Sequence, residues 1–191
     1  MTSVLDLFRS SGALLEGHFR LSSGLHSGGY LQCALVLQHP AHAETLGRAL
    51  AERLRPLGPT VVLSPALGGL IIGHEVGRGL GVRAIFAERQ DGVLTLRRGF
   101  SLAAADRVVI IEDVVTTGGS TTETIAVAKE AGATVVGAGS IIDRSGGRAS
   151  LDVPYQALET LNLATYQPDS CPMCAAGRAV SRPGSRIVTP R

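Results

Sequence analysis

The stretch Val108-Val109-Ile110-Ile111-Glu112-Asp113-Val114-Val115-Thr116-Thr117-Gly118-Gly119-Ser120 decides how this chain is read. Its four leading β-branched residues predict a strand covered on both faces, as in a parallel sheet. Two adjacent carboxylates end that strand. A turn of small and hydroxyl-bearing residues follows, and a helix is predicted from about Thr121 to Ala131, closed by Gly132 at its C′ position. Open α/β sheets bind ligands outside the carboxyl ends of their strands. Backbone N–H groups at a helix start, with Thr and Ser hydroxyls beside them, suit a phosphate. Gly118 and Gly119 let the backbone approach closely. Paired carboxylates repel a phosphate, but they accept hydrogen bonds from sugar hydroxyls or help to hold a hydrated Mg²⁺. The constellation therefore predicts a phosphorylated sugar. The plainer alternative is a strand ending in solvated acids before an ordinary capped helix. It does not account for the whole run of apolar residues, acids, apolar pair and Thr-Thr-Gly-Gly-Ser.

Outward from this segment the chain alternates strands and helices. Val61 to Leu63, Ala84 to Phe86 and Val135 to Ile142 read as further strands, and residues 40–55 and 70–79 as helices. Pro40 opens the first of these helices, and Leu46, Leu50 and Leu54 recur along it at helical spacing. The alternation predicts an α/β fold with a parallel sheet flanked by helices. The N-terminal part differs. Thr2 to Phe8 reads as a short capped helix, and Ala13 to Leu15 and His18 to Leu21 as strand pieces. Ser22-Ser23-Gly24 and Ser27-Gly28-Gly29 read as turns that break them. The tail from Ser181 to Arg191 is polar and reads as loosely held.

The 191 residues suit one domain with a small appendage, and 45% hydrophobic against 18% charged residues argues for a folded globular chain. A net charge of +2 gives no electrostatic footprint for nucleic acid. No apolar run is long enough to span a bilayer, and Met1 to Phe8 lacks a signal-peptide core, so the chain reads as cytoplasmic. Cys33, Cys171 and Cys174 do not make a disulfide framework. Cys171-Pro172-Met173-Cys174 is a lone C-x-x-C, read as a structural or reduced pair. Zinc would need about four ligands, and a partner chain's copy could supply the rest. The five histidines show no metal spacing, and no metal ligand is assigned; His74-Glu75 reads as packing or solvated surface.

The Val108 to Ser120 segment resembles the phosphoribosyl diphosphate-binding signature of type I phosphoribosyltransferases. That resemblance implies a central parallel sheet, a flexible loop over the active site and a hood that selects the base. Glu112 and Asp113 would contact the ribose 2- and 3-hydroxyls, Val114 and Val115 would continue the segment, and Thr116, Thr117, Gly118, Gly119 and Ser120 would hold the 5-phosphate. It is neither a Walker A loop nor a G-x-G-x-x-G fingerprint. Two other segments are similar to orotate phosphoribosyltransferases. Gly12 to Tyr30 resembles the hood of that family, and Ile142-Asp143-Arg144-Ser145-Gly146-Gly147 looks like its Asp-Arg turn. A guanidinium is a planar, permanently charged partner for the orotate carboxylate, which nominates Arg144. An ion pair of Arg144 with Asp143 or Asp152 is the bland alternative. By the same resemblance Tyr30, Leu31 and Thr116 would lie at the base.

The resemblance implies a single phosphoribosyltransferase domain over 1–191, with the hood in 1–35 and parts of the C-terminal segment. It also implies Mg²⁺ as cofactor, orotate and phosphoribosyl diphosphate as substrates, and a homodimer in which the partner's loop completes the site. The chain departs from the family pattern in three places. Ser22 stands where a hood Lys is usual, Leu67-Gly68 where Tyr-Lys is usual, and the loop stretch Glu88 to Arg98 has neither Lys nor His. Arg89, Arg97 and Arg98 are the cations left there, and Arg89 is assigned to phosphoribosyl diphosphate. The competing readings are a purine-type phosphoribosyltransferase and a non-catalytic nucleotide-sensing regulator of the same fold.

Overall fold

The computed structural model describes residues 3–21 and 23–182. Ser22 and the tail beyond Arg182 lie outside the described residues. Contacts divide the chain into two compact units, Leu37–Leu161 and a smaller one formed by Met1–Val36 with Asn162–Arg191.

The larger unit is built on a six-stranded sheet. Its strands are β3 (Val61–Pro65), β4 (Arg83–Gln90), β5 (Val93–Leu96), β6 (Arg107–Val115), β7 (Thr134–Asp143) and β8 (Tyr155–Thr160), in the order β5-β4-β3-β6-β7-β8. All neighbours are parallel except β4 and β5, which form an antiparallel hairpin at one edge. The helices are α3 (Pro40–Leu54), α4 (Gly69–Leu80) and α5 (Gly119–Glu130).

Strand periodicity sorts the side chains between the two faces. Val61 and Leu63 of β3 and Val108 and Ile110 of β6 form a buried cluster with Ile125 and Ala128 of α5. The alternate residues face α3 and α4: Val62 lies near Gly73 of α4, and Leu50 and Leu54 of α3 press on Gly139 of β7. Each fully buried Val, Leu or Ile contributes roughly 1.5–3 kcal/mol. Chain order turns back beside β3: from β3 the chain goes outward to β4, then returns to β6 on the other side. That reversal opens a crevice at the carboxyl ends of β3 and β6.

Several elements differ from the sequence expectation. The strand predicted over 108–111 runs on through both acids to Val115, because Val114 and Val115 still pair with Ile142 and Asp143 of β7. The stretch 88–98, expected as a flexible loop, is ordered as the β4–β5 hairpin. Asp91 and Gly92 turn it at φ 52° and 86°, the left-handed pair that two-residue hairpins need.

The smaller unit holds α1 (Val4–Ser10), β1 (Leu14–Arg20), β2 (His26–Leu31), β9 (Thr165–Tyr166) and α6 (Pro172–Ala175), and α2 (Cys33–Leu37) leads out of it. A capping box between Ser3 and Asp6 starts α1. The strands form a sheet in the order β1-β2-β9. Ser27-Gly28-Gly29 does not form the expected turn but lies inside β2. The Gly29 backbone sits so close to Leu163 that an added Cβ would be 2.8 Å from its Cδ2, so the glycine serves packing and not chain reversal.

The helix pair over the sheet yields a stability prediction. A Cβ on Gly47 of α3 would lie 2.8 Å from the Glu75 carbonyl carbon in α4. Overpacking against backbone costs about 1–3 kcal/mol, whereas Ala gains up to about 1 kcal/mol over Gly in helix propensity. Gly47→Ala is therefore expected to lose up to about 2 kcal/mol in urea denaturation. A gain in stability would show that the two helices part freely.

Candidate active site

The β6 carboxyl end and the turn after it occupy the crevice beside β3. Residues 112 and 113 are adjacent in a strand, so their side chains leave on opposite faces. Glu112 continues the row of Val108 and Ile110, on the α5 side, where the Thr121 hydroxyl lies near it. Asp113 continues the row of Val109 and Ile111, on the α4 side. There the loop after β3 passes over it: a Cβ on Gly68 would lie 2.7 Å from Asp113 Oδ1, and one on Gly69 2.7 Å from the Ile111 carbonyl oxygen. Only glycine permits this approach. Sequence reading passed over this role for Gly68 and Gly69.

Both acids are poorly solvated. Burial, reinforced by the neighbouring Asp113 charge, raises the Glu112 pKa to about 8, with the Thr121 hydroxyl pulling the other way. Glu112 Oε2 is buried without a hydrogen-bond partner. Burial also raises the Asp113 pKa, opposed by the Val114 N–H that donates to Oδ1 at 2.9 Å. A cation or hydroxyl donors of a ligand would favour the ionised form, in which both acids accept hydrogen bonds.

Thr116, Thr117 and Ser120 are exposed in the turn, and Gly118 sits at φ 84° as N-cap of α5. An added Cβ at Gly118 would be 3.0 Å from Leu151 Cδ2. The first N–H groups of a helix have no intrahelical acceptor, so the turn presents donors to an anion. Val114 is half-buried and Val115 buried.

Arg144 follows β7, and its N–H donates to the Val115 carbonyl at 2.8 Å. This bond fixes the start of the 144–147 loop beside the residue that precedes Thr116. Asp143 shapes that loop from within: it is buried, and its carboxylate accepts N–H bonds from Ser145 at 2.7 Å and Gly147 at 3.0 Å. Sequence reading named Asp143 only as an alternative ion-pair partner of Arg144 and missed this backbone role. The Asp-x-Ser-Gly-Gly pattern was the available signal.

The candidate cations of 88–98 are engaged elsewhere. Arg89 forms an ion pair with Glu123 of α5 at 2.7 Å and donates to the Gly92 carbonyl at 2.6 Å. Arg98 and Arg97 flank Glu88 at 2.9 and 3.7 Å, and Arg98 lies 5.8 Å from the Phe86 ring centre. Leu67, in the loop after β3, is 82% exposed. Tyr30 and Leu31 end β2 in the smaller unit, half-buried and buried respectively. His74 is exposed on α4, and Glu75 beside it pairs with Arg78 at 2.6 Å.

The raised Glu112 pKa makes stability depend on pH. Between the ordinary value of 4.5 and about 8, the folded protein holds a proton that the unfolded chain has released. Folding is thus favoured at the acid side of this window and loses that support as pH rises through about 8. Glu112→Gln, which stays neutral, is expected to raise the melting temperature of the ligand-free protein at about pH 9 and to change it little below about pH 4. Parallel pH profiles for the two proteins would refute the assignment.

Comparison with known proteins agrees with this geometry. The phosphoribosyl transferase domain family matches residues 34–167. The orotate phosphoribosyltransferase of Pelotomaculum thermopropionicum is 51% identical over 97% of each chain. That of Heliobacterium modesticaldum is 52% identical over 96% of this chain and 97% of its own. The crystal structure of orotate phosphoribosyltransferase from Aeropyrum pernix superposes with a TM-score of 0.66 at 25% identity, covering 83% of this chain and 93% of that one. With a parallel sheet that switches direction at β3, a phosphate-type turn after its acid pair and full-length relatives at half identity, the chain belongs to the orotate phosphoribosyltransferase family.

Proposed function

We propose that the protein transfers the 5-phosphoribosyl group from phosphoribosyl diphosphate to orotate, giving orotidine 5′-monophosphate and pyrophosphate in pyrimidine biosynthesis. The observation that carries this reading is the identity of about half with curated orotate phosphoribosyltransferases along nearly the whole chain. A purine-type activity has the same fold to draw on but no comparable support from these relatives. A non-catalytic regulator that binds nucleic acid is disfavoured by the near-neutral charge.

In this reaction a ring nitrogen of orotate bonds to C1 of the ribose as the C1–O bond to pyrophosphate breaks. Positive charge develops on the ring, as in an oxocarbenium ion. Glu112 and Asp113 accept hydrogen bonds from the ribose hydroxyls and hold the ring below the incoming base. The turn Thr116 to Ser120 and the start of α5 take the 5-phosphate. Arg144 pairs with the orotate carboxylate, and Tyr30, Leu31 and Thr116 complete the base site. Positioning both reactants is a large part of the rate enhancement in such a displacement. The buried, unpartnered Glu112 oxygen and its Asp113 neighbour fit a hydrated Mg²⁺ as well as hydroxyls. When bound, Mg²⁺ would neutralise charge on the diphosphate leaving group. Arg89 would reach the diphosphate only by giving up Glu123. The smaller unit serves as the hood, the chain acts in the cytoplasm, and a homodimer supplies the loop cations across its interface.

Orotate consumption, followed by absorbance with phosphoribosyl diphosphate and Mg²⁺, tests the activity; adenine and xanthine are the controls. Turnover of a purine and not of orotate would overturn the reading. Arg144→Ala removes a charge-assisted hydrogen bond worth about 1.5–3 kcal/mol, so orotate binding should weaken roughly ten- to a hundredfold. Phosphoribosyl diphosphate binding should change little, and Arg144→Lys should recover only part of the loss. Equal losses for both ligands in calorimetry would make Arg144 a support of the pocket and not a reader of the base.

A further inference from the structure

The smaller unit brings together four side chains that the phosphoribosyl chemistry does not use. His18 of β1, His26 of β2, and Cys171 and Cys174 around α6 place one ligand atom each within 4.8 Å of one another. Sequence reading found no metal spacing among the histidines and no third and fourth ligand for the C-x-x-C. The fold supplies both. Arg20 pairs with His26 across the hairpin, and beside the register irregularity between Glu16 and Phe19 His18 Nε2 lies 2.8 Å from His26 Nδ1. The C-terminal segment then carries the cysteines to this pair.

We propose that His18, His26, Cys171 and Cys174 form a structural zinc site. Three of its nitrogen–sulfur distances are those of a small tetrahedral cage. Cys171 Sγ lies 3.6 Å and Cys174 Sγ 3.8 Å from His18 Nε2, and Cys174 Sγ lies 3.3 Å from His26 Nδ1. Zn–N bonds of about 2.0 Å and Zn–S bonds of about 2.3 Å at tetrahedral angles place neighbouring ligand atoms roughly 3.3–3.8 Å apart. The two imidazole nitrogens, at 2.8 Å, need to separate by only a few tenths of an ångström.

The surroundings are those of a metal ligand set. His18 Nδ1 is 2.8 Å from the Arg178 carbonyl oxygen, so it carries the proton and donates it there. Nε2 is then left with its lone pair turned into the cluster. A backbone carbonyl fixing the tautomer of a histidine in this way is the usual outer-shell partner of a zinc ligand. His18 and His26 are buried, as is Cys171, whereas Cys174 reaches the surface. Two thiolates and two neutral imidazoles balance Zn²⁺, so the closed site carries no net charge. Each thiol gives up its proton on binding.

The C-terminal segment is otherwise held by β9, by a bridge of Ser181 to Phe19 and by Leu163 against Gly29. Among described residues 162–182, Cys171 alone is buried, and the only strand is the two-residue β9. So little apolar burial does not order twenty-odd residues, and small units of this kind rely on a metal or a disulfide. A disulfide within Cys171-x-x-Cys174 would close only a short loop and would leave both histidines without a role. Soft sulfur ligands with imidazole in a closed tetrahedron select zinc over magnesium or calcium.

The full-length protein, purified under reducing conditions without added metal and without a polyhistidine tag, is expected to carry about one zinc per chain by elemental analysis. Replacing zinc by cobalt should give the visible bands of a tetrahedral ion and a thiolate-to-cobalt charge-transfer band. Cys171→Ser/Cys174→Ser and His18→Ala should each lower zinc content and lose or shift those bands, while a Cys33→Ser control keeps them. Chelation should expose the C-terminal segment to limited proteolysis, with protection restored by zinc alone. A chain that binds neither zinc nor cobalt, that holds iron in their place, or whose cobalt spectrum survives loss of both cysteines would overturn the proposal. So would a Cys171–Cys174 disulfide in the freshly isolated protein.

Discussion

The removal of two carboxylates from water at the end of β6 is the constraint on which the site depends. A strand buried on both faces carries Glu112 and Asp113 into a crevice where burial resists their ionisation. The loop after β3 intensifies this by passing over Asp113 so closely that Gly68 has no room for a Cβ. The arginines at 89, 97 and 98 pair with Glu123 and Glu88 and not with either acid. In the proposed reaction the missing partners arrive with the ligand, as ribose hydroxyls and a hydrated cation. An acid pair left in this state costs stability in the empty protein. In the proposed reaction that cost is relieved when ribose hydroxyls and a hydrated cation bind.

The parallel sheet positions this pair without help from the rest of the chain. Because β3 and β6 are neighbours and the chain leaves β3 in the opposite direction, both carboxyl ends open on one crevice. The Arg144 N–H bond to Val115 ties a second loop to the same edge, and Asp143 holds that loop in shape through two backbone N–H groups. The backbone at position 144 is thus set by a buried acid one residue away.

How much of this was legible followed from how local the signal was. The β6 segment announced itself because its apolar run, acids and glycines are contiguous, and α3, α4 and α5 because their apolar residues recur within one element. The edge strand β8 was missed: Tyr155 to Thr160 is mostly half-buried or exposed and has no continuous apolar run. The β4–β5 hairpin was masked by the expectation of a loop, although Asp91-Gly92 is a strong turn signal. Ser27-Gly28-Gly29 misled for the opposite reason: glycine marks a turn and a close contact alike, and the contact is with Leu163, remote in sequence. The site showed the same divide. Glu112, Asp113 and the turn Thr116 to Ser120 could be named from one segment, whereas the faces they occupy, the clearance over Asp113 and the work of Asp143 depend on three elements meeting.

The His18, His26, Cys171 and Cys174 cluster is the extreme case of this non-locality, and it separates the two units by the source of their order. The larger unit is held by apolar faces on both sides of its sheet, and its buried residues are spread over every central strand. The smaller unit joins a hairpin from one end of the chain to a segment from the other, and the joining contacts are few. The entropy of ordering such a segment grows with each residue fixed, at roughly 1–2 kcal/mol for the backbone alone. β9, the Ser181 bridge, Leu163 and one buried cysteine offset only part of that sum. A four-ligand bond set drawn equally from both pieces offsets more of it, because it fixes the segment at two positions three residues apart and the hairpin at two adjacent strands. Order in the C-terminal segment then follows the ionisation and redox state of two thiols, while order at the acid pair follows the occupancy of the crevice.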